Sequence, residues 1–168
     1  MKAPPSGSRG AGAASSEPIS VFEEIFPSDT NPYGTAFGGK ILALMDRAAG
    51  LAASRFAHRH FVTASRDSLE FSAPVRQGEI AEVEARVVYT SAHTCAALVR
   101  VFAIDKQVWD RRQCCEGTVF MVAVGEDGRP LSIPRLVPAT EEAKREWDDA
   151  RLIHEDMLRR RARRNAKE

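Results

Sequence analysis

Between Lys40 and His60 runs KILALMDRAAGLAASRFAHRH, a helical segment that is apolar on nearly every side. Ile41, Leu42, Leu44, Met45, Ala48, Leu51, Ala52 and Phe56 spread around its circumference. A helix that is apolar all round is stable in water only when other structure encloses it. Its many alanines, with Gly50, let backbone or sheet approach closely. The rest of the chain therefore has to wrap this segment.

The segments after the helix supply the wrapping. From Phe61 the apolar period changes to two. In EIAEVEARVVYTS, Ala81, Val83, Ala85, Val87 and Tyr89 fall on one face, and Glu82, Glu84 and Arg86 on the other. Thr94–Asp105 and Gly117–Gly125 read as longer apolar strands, the second fit for burial on both faces. SAH and KQVWDR are short enough to join antiparallel neighbours, and EDGRP turns the chain out of the sheet. Ile19–Phe26 reads as a further short strand, followed by a turn-rich stretch from Pro27 to Gly39. From Thr140, a plausible N-cap, a polar helix begins, with Glu141 and Glu142 at its positive end and arginines from Arg159 at its negative end. The expected architecture is an α+β single domain: one long central helix, an antiparallel sheet around it, and a C-terminal helix.

The chain has 168 residues, 24 basic against 23 acidic, for a formal net charge of +1. That balance argues against a protein that coats nucleic acid over its whole surface. No run approaches the roughly 18 apolar residues of a membrane span. Cys95, Cys114 and Cys115 are odd in number and sit in apolar runs, which points to buried core thiols of a reducing compartment. The stretch from Met1 to Pro18 is rich in Gly, Ser, Ala and Pro without apolar periodicity and reads as a disordered tail. A mitochondrial presequence fits it less well, because arginine is scarce. The sequence thus divides into a tail (1–18), a folded domain (19–139) and a charged C-terminal helix with its tail (140–168).

Gly34–Lys40 matches G-x-x-x-x-G-K, but Ile41 follows where a phosphate-binding loop needs a hydroxyl, and a turn precedes it instead of a buried strand. A nucleotide-hydrolysing role is rejected. Gly38 and Gly39 still lead into a helix, where unpaired N–H groups can hold a developing negative oxygen; alternatively they only permit a tight turn. Asp46 sits inside the apolar helix, and its neighbours at three and four residues, Leu42, Ala43, Ala49 and Gly50, cannot pair with a carboxylate. Such an acid needs solvent exposure, a distant basic partner or a function. Gly39 and Asp46 are about 10.5 Å apart along the helix. One carbonyl cannot lie about 3 Å from both, so joint action requires two copies of the helix across a two-fold axis.

PSDTNPYGTAFGGKILALMDRAAGLAASR, VTASRDSLEFSAPVRQGE, the YTSAHTCAALVRVFA strand pair and EGTVFMVAVGEDGRPLSIP resemble the hotdog-fold acyl-CoA thioesterases, most closely the cytosolic acyl-CoA hydrolase branch. The likeness runs from about Ile19 to Val137. It implies a hotdog fold with a long helix in a curved antiparallel sheet, and hydrolysis of acyl-CoA to free acid and CoA in fatty acid metabolism. It implies a homodimer assembled into a hexamer (trimer of dimers) or a tetramer, a cytoplasmic location, and no cofactor beyond the CoA of the substrate. It casts Asp46 as the catalytic acid–base group, Asn31 as its assistant, and Gly38 and Gly39 as the source of the N–H that polarises the thioester carbonyl. Thr35 and Lys40 receive no catalytic role.

Weaker signals complete the reading. Ser91, His93, Thr94, Arg66 and Arg100 are candidates for holding the CoA phosphates. Solvated turns and strand-edge charges explain them too, and service to an acid is a further alternative for Arg100. No C-x-x-C or H-E-x-x-H spacing suggests a metal, and no G-x-S-x-G suggests a serine nucleophile. His58, His60 and His154 read as surface histidines. LRRRARRNAKE reads as a solvated helix end, not as a nucleic-acid or membrane anchor, and Trp147 and Met157 as residues that dock this helix on the oligomer. The competing functions are a non-catalytic acyl-CoA-binding regulatory protein and a hotdog hydratase, the latter lacking a histidine near its acid.

Overall fold

The computed structural model describes residues 16–166. The expectation of a disordered tail lies, as far as residue 15, outside the described residues. Strand β1 (Ile19–Glu24) is followed by a single 3-10 turn, Pro27–Asp29, and by helix α1 (Gly38–Ala57). Strands β2 (His60–Phe71), β3 (Ile80–Thr90), β4 (Thr94–Ile104) and β5 (Arg111–Val124) come next, and helix α2 (Glu141–Asn165) closes the fold. The strands form one sheet in the order β1-β3-β4-β5-β2, antiparallel throughout. This is the hotdog architecture: α1 lies across one face, and α2 packs on the other.

Period two builds the face toward α1. Ala81, Val83, Ala85 and Val87 of β3 meet Cys95, Ala97, Val99 and Val101 of β4 there, beneath Leu44, Met45, Ala48 and Ala52. Tyr89 departs from the expected face. Val87 pairs with Ala97 and Tyr89 with Ala96, so Val88 is an extra residue in β3. This bulge turns Tyr89 to the opposite side, where it packs edge-on to Trp147 of α2. β5 also begins earlier than the apolar run suggests, at Arg111: Arg111 and Arg112 pair with Ile104 and Ala103 of β4, and their guanidinium groups reach Glu82, Glu84 and Glu79.

α2 starts where expected, with the Thr140 hydroxyl accepting from the Ala143 N–H. Trp147 and Met157 dock on the chain's own sheet, not on an oligomer contact: both pack with Tyr89, Ala96 and Phe120. His154 is likewise no surface residue. It is buried, stacked on Phe120 and within hydrogen-bond reach of the Tyr89 hydroxyl. Burial lowers its pKa below the usual histidine value, against the opposing charge of Glu155. The unfolded chain therefore binds a proton that the folded chain resists, and this residue's stabilisation declines as pH falls through about 6.5. The Tm should drop more between pH 7.5 and 5.5 in the native chain than in His154→Gln; equal drops would remove His154 as the cause.

The three cysteines are free and buried. Burial pushes the Cys95 thiol up to about 12 and the Cys115 thiol up to about 11, so both are protonated core groups. No helix among the described residues is long and apolar enough to cross a membrane.

The central helix is only partly enclosed by its own chain. Ile41, Leu44, Met45, Ala48, Ala49, Ala52 and Ala53 are buried, but Leu51 remains half exposed. β2, at the sheet's edge, exposes Val62 and Phe71 as well. A long edge strand with an unpaired row of backbone groups is a template for another chain.

Candidate active site

The stretch from Asp29 to Lys40 sets the start of α1. The Asp29 carboxylate accepts from the Phe26 N–H at 3.0 Å and pairs with Lys40 at 3.1 Å. The Phe26 hydrogen bond, then Lys40, holds this carboxyl below its ordinary range. The Asp29 carbonyl accepts from the Phe37 N–H at 2.8 Å. Lys40 also pairs with Glu23 of β1, which accounts for the G-x-x-x-x-G-K match without a phosphate. Asn31 shapes the turn between: its Oδ1 accepts from the N–H groups of Tyr33 and Thr35, and its Nδ2 donates to Thr35 Oγ1. Gly34, at φ 70°, occupies the left-handed region that this turn requires. Within one protomer the Asn31 amide is spent on the turn and makes no hydrogen bond to Asp46.

The turn delivers two free donors. Phe37 is the N-cap, and its carbonyl takes the Lys40 and Ile41 N–H groups. The exposed N–H groups of Gly38 and Gly39 have no acceptor among the described residues. Both sit at the positive end of a 20-residue helix.

Asp46 is not the unpartnered acid that its helical neighbours suggest. Thr63 Oγ1 donates to its Oδ1 at 2.7 Å, and Arg66 Nη2 donates to the same oxygen at 2.9 Å. Oδ2 accepts from no described residue. The partners come from β2, an element beyond the reach of helical spacing. About a third of each side chain in the ion pair is exposed, and pairs this accessible contribute roughly 0–1 kcal/mol to stability.

A break in the strand produces this convergence. Residues 63 and 66 differ by an odd number, so regular pleating would point them to opposite faces. Thr63 pairs with Met121, Ser65 with Phe120 and Arg66 with Val119, which leaves Ala64 as an extra residue. The bulge brings Thr63 and Arg66 to the α1 face and sends Ser65 to the α2 face, where it meets Met157. Thr63 is the residue that sequence reasoning missed. Its string, VTAS, is visible, but the bulge that aims it is not.

The other candidates lie elsewhere. Arg100 faces α2, with its guanidinium on Glu116 at 2.6 Å and near Glu146 at 3.8 Å; it serves acids, the alternative open to it. Ser91, His93 and Thr94 form the β3–β4 turn, which closes on itself through the Ser91 N–H and Thr94 carbonyl. Two grooves of 570 and 580 Å³ run between α2 and the sheet, lined by Arg100 and by Thr94 respectively. Neither is lined by Asp46, Thr63, Gly38 or Gly39. Of the proposed substrate-holding residues, only Arg66 reaches Asp46. Among the described residues no group of three or more His, Cys, Asp or Glu side chains could hold a metal ion.

A family model described as Thioesterase superfamily matches residues 33–109, the span from the glycine turn through β4. An uncharacterized acyl-CoA thioester hydrolase of Bacillus subtilis is 34% identical over 70% of this chain and 69% of its own length. The chain belongs to the thioesterase superfamily. It is also 30% identical to the rat cytosolic acyl coenzyme A thioester hydrolase over 79% of the chain, but spans only 35% of that protein. Among solved structures, an apo-hexameric acyl-CoA thioesterase matches with TM-score 0.80 at 36% identity, covering 86% of this chain and 93% of the other. The acyl-CoA hydrolase of Staphylococcus aureus, solved with butyryl coenzyme A and coenzyme A, matches with TM-score 0.81 at 27% identity, covering 93% of this superfamily member and 95% of that chain. Alanine variants of that hydrolase have been solved at an asparagine, an aspartate and a threonine. The three are spaced along its chain as Asn31, Asp46 and Thr63 are spaced here.

Proposed function

We propose that this superfamily member hydrolyses acyl-CoA thioesters to carboxylic acid and CoA at a site completed by two copies of the chain. The observation that carries the reading is Asp46. Its carboxylate is accessible in the middle of an apolar helix, with one oxygen tethered to β2 and the other open. Asp46 Oδ2 takes a proton from water as the water oxygen adds to the thioester carbonyl. The Gly39 N–H, with Gly38 beside it, receives the oxyanion. Collapse of the tetrahedral adduct expels CoA as its thiolate, a good leaving group that needs no strong acid. Direct attack by Asp46, giving a mixed anhydride that water then cleaves, is the competing route.

The helix's regularity supports two copies. Gly39 and Asp46 stay about 10.5 Å apart along one α1, so the oxyanion donor for one Asp46 comes from its twin. The half-exposed Leu51 and the edge strand β2, with Val62 and Phe71 exposed, offer surface for that contact. The spacing shared with the Staphylococcus aureus variants supports Asn31 and Thr63 as members of the site. Asn31 would then act on the partner's side of the interface. A hexamer, as in the apo-hexameric relative, is the proposed assembly.

The Asp46–Arg66 ion pair favours a second reading, a non-catalytic acyl-CoA-binding protein whose acid is only structural. One assay decides between them. Incubated with acyl-CoA of increasing chain length, the protein should release free thiol with saturable kinetics. Binding of acyl-CoA without thiol release at any chain length would establish the second reading.

A further inference from the structure

The geometry assigns Arg66 the role of a positioning residue that, with Thr63, fixes Asp46 through one carboxylate oxygen and so dedicates the other to water. This inference rests on the hydrolytic reading of Asp46. Nothing on α1 can orient that side chain, because Leu42, Ala43, Ala49 and Gly50 offer it no donor. Its orientation comes wholly from β2. Thr63 alone would leave the carboxylate free to swing about a single hydrogen bond. The second donor, Arg66 Nη2, converges on the same Oδ1. An ionised carboxylate oxygen presents about two acceptor sites, so these two donors saturate Oδ1. Oδ2 is left as the base.

Two features of this arrangement suit it to positioning. Arg66 and Thr63 meet on the one oxygen Oδ1 and leave Oδ2 open, whereas a bidentate guanidinium would occupy the oxygen that must take the proton. The β2 backbone is also deformed to produce it. With unbroken pleating from Thr63, Arg66 would face α2, on the opposite side of the sheet from Thr63 and Asp46. A bulge re-aims a side chain at the cost of local ladder pairing, and this ion pair is too exposed to return much as stability.

This role differs measurably from that of a clamp on the CoA phosphates. In the full-length protein, Arg66→Gln should lower kcat about 10–100-fold, the scale of a misplaced catalytic group, with KM for acyl-CoA held within about twofold. Arg66→Lys, which keeps one donor and the charge, should recover much of the loss. Added methylguanidinium should partly restore kcat in Arg66→Ala, a response that a purely structural residue would not give. Unchanged kcat in Arg66→Gln, or a tenfold rise in KM with kcat retained, would overturn the inference. So would the absence of rescue by both lysine and methylguanidinium. Asp46→Asn separates the two levels. If it turns over normally, the catalytic role of Asp46 falls, and with it the positioning role of Arg66; if it is inactive while Arg66→Gln is unimpaired, only the role of Arg66 falls.

Discussion

Asp46→Asn should retain the native fold and assembly and lose about 10³-fold in kcat for acyl-CoA hydrolysis. The amide is nearly isosteric, and its carbonyl can still accept from Thr63, so β2 and α1 keep their contact. What it cannot do is take a proton from water. General-base catalysis contributes about 10²–10⁴-fold, which sets the scale. Neither the buried core beneath Leu44 and Met45 nor the α2 docking cluster includes the Asp46 side chain, so the melting temperature should hardly move. Thiol release and a thermal melt on the same preparation are sufficient. Turnover at the native rate with the assembly intact would eliminate Asp46 as both base and nucleophile. If activity is lost as expected, one turnover of the native enzyme in ¹⁸O-water separates the mechanisms, because only the anhydride route can place solvent oxygen in the Asp46 carboxylate.

The architecture is legible in the sequence because two periodicities announce it. The all-round apolar segment demands a wrapping, and the period-two runs of β3 and β4 supply one, with residues from Ala81 to Val87 on the expected face. Two bulges move residues from the face that alternation predicts for them. One extra residue at Val88 moves Tyr89 to the α2 side, and another at Ala64 brings Thr63 and Arg66 together. A bulge depends on cross-strand pairing and has no signature in the alternation of a single strand. This also explains why Asp46 reads as unpartnered: spacing along a helix reveals only the partners a helix can offer, and its two donors lie 17 and 20 residues downstream. His154 escapes sequence reading for a related reason. In a helix as polar as α2 its burial is decided by Tyr89 and Phe120 on the sheet, not by its own neighbours. The glycine turn needs no partner to be read, since an unpaired N–H at a helix start is a property of the helix itself.

That property gives the second large effect. Gly39→Pro should lower kcat about 10²–10³-fold, the usual loss when one oxyanion donor is removed, whereas Gly39→Ala should keep most of the activity. The two variants share a steric burden. A Cβ at this position falls 2.7 Å from Phe37 Cε1, but the obstacle is the ring of an exposed side chain, which can rotate away. They differ in the N–H. Alanine keeps it, and proline deletes it at a place where the helix makes no use of it, since the first intrahelical acceptor, the Phe37 carbonyl, serves Lys40 and Ile41. Proline is accordingly tolerated in a first helical turn. Circular dichroism should show equal helix content in both variants. Proline and alanine variants with equal kcat would remove Gly39 as the oxyanion donor. A deficit confined to proline would locate the developing charge at the amino end of α1. Asp46 lies about 10.5 Å further along the same helix, so that charge and its base would have to belong to different chains. Mixing Gly39→Pro with Asp46→Asn, each at about 1% of native activity or less alone, tests this directly: a heterodimer pairs the native Gly39 of one chain with the native Asp46 of the other, and should recover about half of the native activity per site pair formed.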